Sequence, residues 1–341
     1  MTTQEKYLEV PIAFVRICVS GVLALFILNF LLYFYYHLPL HIENPLHTTD
    51  YVWQPHSSWL KMTEGISWGR LDAKGFNNRA VIENPDILIL GSSHMEATNV
   101  FQNENTASLL SEYLSKKNIP LSVYNRGISG HHFLKCAKYL SQNTTQDTLK
   151  YALIETSRVD FSTEEINSLL SERIDFTSSY SKGIIAFLQH FPFFRLFYSQ
   201  FEHGLLKLFL PQKNMSVAND FSNKTIDSNA YDNLFSYIAK NSNGKHIVIF
   251  YHPTPTPDKN GNLVFNNFGI EEFAKSAKKH GIDFIDLTAS TEKLWITEHK
   301  TTHGFCTGTA FSGHINRNGH KIAADELSDF ISAQESQNVA F

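Results

Sequence analysis

Between Ile17 and Tyr36 the chain runs for twenty residues, ICVSGVLALFILNFLLYFYY, without a formal charge. As an α-helix rising 1.5 Å per residue, this stretch spans roughly 30 Å, the thickness of a bilayer's hydrocarbon core. A cleavable leader would carry a shorter apolar stretch followed by small residues, whereas this one closes on Tyr33, Phe34, Tyr35 and Tyr36. It predicts a retained anchor in the lipid bilayer with an interfacial aromatic belt. Lys6 and Arg16 precede it, and no Lys or Arg follows until Lys61. That asymmetry places residues 1–16 in the cytoplasm and the bulk of the chain outside it, periplasmic or extracellular. A core helix of this length would show a polar face, and this one shows none.

The rest of the chain is too apolar and aromatic to be disordered, with 43% hydrophobic residues, 27 Phe and 14 Tyr among 341. A formal net charge of -4 and the lack of any basic run argue against a nucleic-acid partner. Three cysteines, one of them Cys18 in the apolar stretch, allow no disulfide framework and no CxxC metal site; at most Cys136 bridges Cys306.

Residues 37–80, rich in Pro, His, Asn and Trp, read as a stalk and an entry into the domain, without chemistry. From residue 86 onward short apolar runs alternate with helical stretches. DILILG (86–91), LSVYN (121–125) and YALIE (151–155) are predicted strands, with helices near Thr106–Lys117 and Phe133–Leu140 between them. The pattern resumes at HIVIFY (246–251), a helix over Ile270–His280, IDFIDL (282–287) and a last helix after Asn316. Continuous apolar strands alternating with helices predict a doubly wound α/β sandwich with a mostly parallel sheet over residues 81–335, with functional groups at the strands' carboxyl ends. A helical insertion, 161–241, divides its halves. The apolar middle, 184–210, is interrupted by Gln189, His190, Pro192, Arg195, Glu202, His203 and Lys207, and so reads as a lid or an interfacial helix.

Three stretches could carry chemistry. ILILGSSHMEA puts Gly91, Ser92, Ser93 and His94 after the first predicted strand, where a hydroxyl and free turn N–H groups reach the sheet edge. Met95 stands where a G-x-S-x-G elbow would need its second Gly. YNRGISGHH places Gly127 and Gly130 after the second strand, with His131 and His132 read as loop surface. SGHINRNGH places His314 just before the last helix, a position suited to a general base. His299 and His303 are four apart but lie in poor helix sequence, so no metal site is expected; no phosphate-binding motif appears and no cofactor is expected. Tyr251, His252, Pro253 and Thr254 read as pocket wall.

In this order, these blocks resemble the SGNH, or GDSL-like, hydrolases over residues 86–327. The resemblance assigns Ser93 as nucleophile, the N–H groups of Ser93 and Gly130 as oxyanion hole and His314 as catalytic base, with Gly91 and Asn316 also matching. The departures are specific. Ser92 replaces the usual Asp, and Glu155, Thr156, Ser157 and Arg158 replace the Asn-bearing third block, leaving Ser157 or Arg158 to complete the oxyanion hole. Phe311 occupies the position of the orienting Asp. Either a Ser–His dyad operates, or a distant carboxylate such as Asp286 or Glu96 intervenes.

The resemblance implies a serine esterase or O-acyltransferase acting on an acyl ester of a cell-surface or exported glycan. With the anchor, the chain also resembles the extracytoplasmic partners of membrane-bound O-acyltransferases. The competing expectation, grounded on Phe311, is a catalytically silent module that binds glycan or scaffolds a membrane complex.

Overall fold

The computed structural model describes residues 3–39, 41–44, 47–62, 64–142, 148–171, 188, 191–200, 227–266, 268–306 and 310–339. The chain divides into two units, one comprising Met1–Leu40 and Tyr180–Met215, the other His41–Ser179 and Ser216–Phe341.

In the first unit the apolar stretch forms α1 (Thr3–Tyr33). Its part Ile12–Tyr33, with mean hydropathy 2.3, is long and apolar enough to cross a membrane. The helix stops short of the expected end at Tyr36: Phe34 and Tyr35 lie in a turn. Most of 184–210 lies outside the described residues. The described helix Pro192–Gln200 packs near the end of α1, where the Phe193 N–H donates to Asn29 Oδ1 at 3.1 Å. The Arg195 guanidinium donates to the carbonyls of Leu38 and Pro39.

The second unit holds the sheet. After a hairpin of β1 (Ser58–Lys61) and β2 (Ser67–Arg70) come β3 (Ile87–Gly91), β4 (Val123–Gly127), β5 (Tyr151–Thr156), β6 (His246–Tyr251) and β7 (Asp283–Asp286). The last five pair in parallel in the order β7-β6-β5-β3-β4. Side-chain alternation along each strand feeds two cores. Leu88, Leu90, Ala152, Ile154, Ile247 and Ile249 face one layer of helices; Ile87, Ile89, Tyr151, Leu153, Val248 and Phe250 face the other. The first layer contains α4 (Phe133–Gln142), α5 (Thr163–Leu170), α7 (Ser228–Lys240) and α8 (Ile270–Lys279), α6 being Pro192–Gln200 of the first unit. The second contains α3 (Thr106–Lys116) and α10 (Arg317–Val339), with α9 (Thr288–Glu298) preceding α10. The fold is therefore the expected doubly wound α/β sandwich, buried on both sheet faces.

Two expectations are corrected by packing. The ends of the 161–241 insertion belong to the core, because Ile166 and Leu169 of α5 and Tyr231, Leu234, Phe235 and Ile238 of α7 are buried in it. The segment read as a stalk belongs to the α/β unit as well: Trp59, Leu71, Phe76, Asn77 and Asn78 are buried. Asn78 explains why it packs there. Its Oδ1 accepts the Asn125 N–H at 2.8 Å and its Nδ2 donates to the Asn125 carbonyl at 2.9 Å, so an amide side chain takes the place of a further strand beside β4.

Gly127 closes β4 against the turn carrying the first sequence block. A Cβ there would overlap the backbone of Met95 and Glu96. Gly127→Ala is expected to cost at least about 2 kcal/mol, read as a fall in the apparent Tm of the detergent-solubilised protein.

Candidate active site

The switch point of the sheet lies between β3 and β5, where chain connections leave in opposite directions and open a crevice at the carboxyl ends. Ser93 stands at this edge because β3 ends at Gly91 and α2 (Ser93–Glu96) begins at once. Ser92 makes that turn: its hydroxyl caps α2 by accepting the His94 N–H at 3.3 Å, and its own N–H donates to Glu155 Oε2 at 2.7 Å.

His314 arrives from the loop before α10. Its Nε2 lies 2.9 Å from Ser93 Oγ. Asn316 fixes this loop rather than the reaction: its Nδ2 donates to the Thr301 and Gly304 carbonyls, and its Oδ1 accepts the N–H groups of Asn318 and Gly319 at the start of α10.

The residue orienting the imidazole is Glu64, from the turn between β1 and β2. Glu64 Oε2 lies 2.6 Å from His314 Nδ1, and Oε1 accepts the His314 backbone N–H at 2.7 Å. The carboxylate therefore holds both the ring and the chain. Gly313, at φ +82°, admits it, since a Cβ there would overlap Glu64 Oε1. Asn99 donates to Glu64 Oε2 at 3.2 Å, and Lys61 donates to Asn99 Oδ1. Burial alone would push the Glu64 carboxyl up, but the bonds and charge of His314, with Lys61 nearby, hold it down to about 2.

Of the two expected arrangements the structure holds the distant carboxylate, supplied by Glu64 and not by Asp286 or Glu96. Glu96 accepts the Ser129 N–H at 3.2 Å and hydroxyl at 2.6 Å, and Asp286 accepts the Thr288 N–H at 2.9 Å at the start of α9. Phe311, where the resemblance leads one to expect an Asp, packs on Trp295 with ring centroids 5.2 Å apart. Ser93, His314 and Glu64 thus form one connected chain, and the ground for a silent module, a histidine without an acid, is gone.

Gly130 follows β4 at φ +82°, and a Cβ on it would meet nothing within 4 Å, so it borders open space. Ser157 is exposed immediately after β5, while Arg158 pairs with Glu165 and lies over the Phe161 ring. Both positions flank β3 at its carboxyl end. His131 is buried, contrary to the loop-surface reading, and only His132 is exposed. Cys136 is buried, Cys306 is exposed and neither is in a disulfide, so the bridge between them is not formed.

A second cluster surrounds the turn. His252, at the end of β6, lies with Nε2 2.6 Å from Glu155 Oε1. His252 Nδ1 lies 3.3 Å from His303 Nε2, and His303 Nδ1 lies 3.1 Å from Thr302 Oγ1. His94 stacks edge-on against His252 and His303. Burial, then the neighbouring histidines, push His94 down to about 3 and His303 to about 2, so both are neutral near pH 7. Burial opposes the charge of Glu155, yet the His252 bond and the charges around it hold that carboxyl at about 2. His299, for which no metal role is expected, ends α9 in the left-handed conformation, exposed and packed on Trp295.

No protein-family model matches the chain, and no curated protein matches it. Solved structures do resemble it. An acetyl xylan esterase, AlAXEase, is 14% identical with a TM-score of 0.40, covering 72% of this chain and 99% of that one. The psychrotrophic esterase EstA from Pseudoalteromonas sp. is 13% identical with a TM-score of 0.39, covering 73% and 98%. A member of the lipolytic protein G-D-S-L family from Veillonella parvula is 13% identical with a TM-score of 0.37, covering 71% and 96%. The chain's own sheet, in the order β7-β6-β5-β3-β4, places a serine after its first strand and a histidine before the last helix.

Proposed function

We propose that the protein is a membrane-anchored serine esterase or O-acyltransferase acting on an acyl ester of a cell-surface or exported glycan. The observation that carries this reading is the Ser93–His314–Glu64 chain, with its two links at 2.9 and 2.6 Å. Ser93 Oγ attacks the acyl carbonyl carbon as its proton passes to His314 Nε2, and Glu64 stabilises the resulting imidazolium. The N–H groups of Ser93 and Gly130 receive the carbonyl oxygen as it becomes an oxyanion, with the Ser157 hydroxyl as a further donor. The tetrahedral adduct collapses, breaking the ester C–O bond, and the alcohol leaves with the proton from His314. Water or a second hydroxyl then attacks the acyl-enzyme in the same sequence reversed.

The glycan acyl ester, and a membrane-bound acyltransferase as partner, are supported by the joining of an anchor to these motifs. The full-length protein in detergent should release p-nitrophenol from a short-chain p-nitrophenyl ester in a burst and accumulate an acylated Ser93 peptide. Transfer is separated from hydrolysis by adding an oligosaccharide acceptor: acylated sugar forms in the first case, only free acid in the second. A folded protein without burst or acyl peptide contradicts the reading.

In this reading α1 crosses the bilayer through Ile17–Tyr33, residues preceding it lie in the cytoplasm, and the α/β unit lies outside. Cys306 provides a test, being exposed and free. A maleimide that cannot cross the inner membrane is expected to label Cys306 in cells whose outer barrier has been opened; labelling only after the inner membrane is lysed reverses the topology.

A further inference from the structure

The cluster beside Ser93 is not used by the proposed reaction. His94 sits in the first turn of α2, His252 follows β6, and His303 lies in the loop between α9 and α10. One ligand nitrogen from each lies within 4.8 Å of the others. We propose that His94, His252 and His303 bind one divalent cation of the borderline, nitrogen-preferring kind, Zn²⁺ foremost.

The geometry fits three imidazoles around one ion. At a Zn–N distance near 2.0 Å, two ligand nitrogens on a tetrahedral edge are about 3.3 Å apart. His252 Nδ1 and His303 Nε2 are separated by 3.3 Å. Adding the depth of the rings, ligand ring centres should lie about 5 Å apart; the three pairs measure 4.7, 5.4 and 5.9 Å.

The outer contacts are also those of ligands. A metal-bound histidine commonly donates its other N–H to a carboxylate or another oxygen. His252 Nε2 has Glu155 Oε1 at 2.6 Å, and His303 Nδ1 has Thr302 Oγ1 at 3.1 Å, so both rings can direct their free lone pairs at one point. His94 gives up most, because its Nδ1 accepts the Ile315 N–H at 3.2 Å and ligation exchanges that bond for one to the ion. Charge favours the exchange. Glu155 is 2% exposed and its Oε1 lies 2.6 Å from His252 Nε2, so a cation held by His252 would lie one ring away from a buried acid. The ion would pin the turn bearing Ser93 to the end of β6 and the His303 loop.

The competing arrangement is metal-free, with His303 Nε2–H donating to His252 Nδ1 across the same 3.3 Å. Metal content distinguishes the two and does not depend on Ser93 being reactive. The full chain, purified in detergent through a tag without histidine, is expected to hold about one zinc per chain by plasma emission spectroscopy. After chelation it should take up Co²⁺ with visible bands of a tetrahedral, nitrogen-rich site. His252→Gln and His303→Gln should each weaken binding at least about tenfold, while Ser93→Ala and His299→Gln should leave it unchanged. A folded wild-type protein that holds no zinc and gives no Co²⁺ bands overturns the proposal, without recourse to any variant. So does unchanged zinc in a folded His252→Gln/His303→Gln protein, which would mean an adventitious ion only.

Discussion

Ser93→Ala is expected to lower ester cleavage by roughly 10⁵-fold, abolish the burst and leave the apparent Tm nearly unchanged. The size of the loss follows from the hydroxyl's place in the chain. Without Oγ no acyl-enzyme forms, and what remains is the oxyanion donors acting on water held less well than a bonded nucleophile. Folding should be spared because the described hydrogen bond of Ser93 Oγ is to His314, while the turn is held by Ser92, Glu155 and the α2 cap. A variant that keeps more than about a hundredth of the activity would mean that another group attacks the ester.

Glu64→Gln carries the second large effect, expected at about 10⁴-fold in kcat/KM. Glu64 accepts from both the Nδ1–H and the backbone N–H of His314, which fixes the neutral ring with its Nε2 lone pair toward Ser93. A glutamine can accept from the backbone N–H only by turning its NH₂ toward Nδ1, which favours the opposite tautomer and places a proton against the serine hydroxyl. Stability should respond in a matching way. The Glu64 carboxyl is held at about 2 in the folded protein against an ordinary 4.5, so its contribution is complete above pH 4.5 and fades as pH falls from 4.5 toward 2. The contribution is at most about 3 kcal/mol. Apparent Tm against pH should therefore drop below pH 4.5 in the wild type and drop less steeply in Glu64→Gln. Equal curves would show that the carboxylate gains nothing from His314.

The parallel sheet was legible because Ile87–Leu90, Tyr151–Ile154 and Ile247–Tyr251 are apolar at every position, a pattern that only strands covered on both faces require. Ser93 and His314 were legible because a strand end and a helix start fix their positions whatever the intervening chain does. Glu64 was not. It sits 250 residues from His314, in a turn without periodicity, and no local pattern marks a carboxylate whose only distinction is the glycine, Gly313, that makes room for it. Sequence allows a distant carboxylate as the orienting acid, but only the fold, which brings the β1–β2 turn to His314, picks Glu64 out from Asp286 and Glu96. His252 is legible only as pocket wall, because its partners Glu155 and His303 arrive from β5 and from the loop after α9, which sequence spacing does not join. The insertion is shorter than its composition suggests because α5 and α7 bury their apolar faces in the sheet's core, while composition registers only the aromatic stretch between them.

Whether Ser93 is a nucleophile activated by His314 is read directly by fluorophosphonate labelling of the protein. One modified peptide is expected, carrying the phosphonyl group on Ser93, that disappears in Ser93→Ala and in His314→Ala while both variants remain folded. A folded wild-type protein that takes no label, or that is labelled equally well without His314, would contradict it.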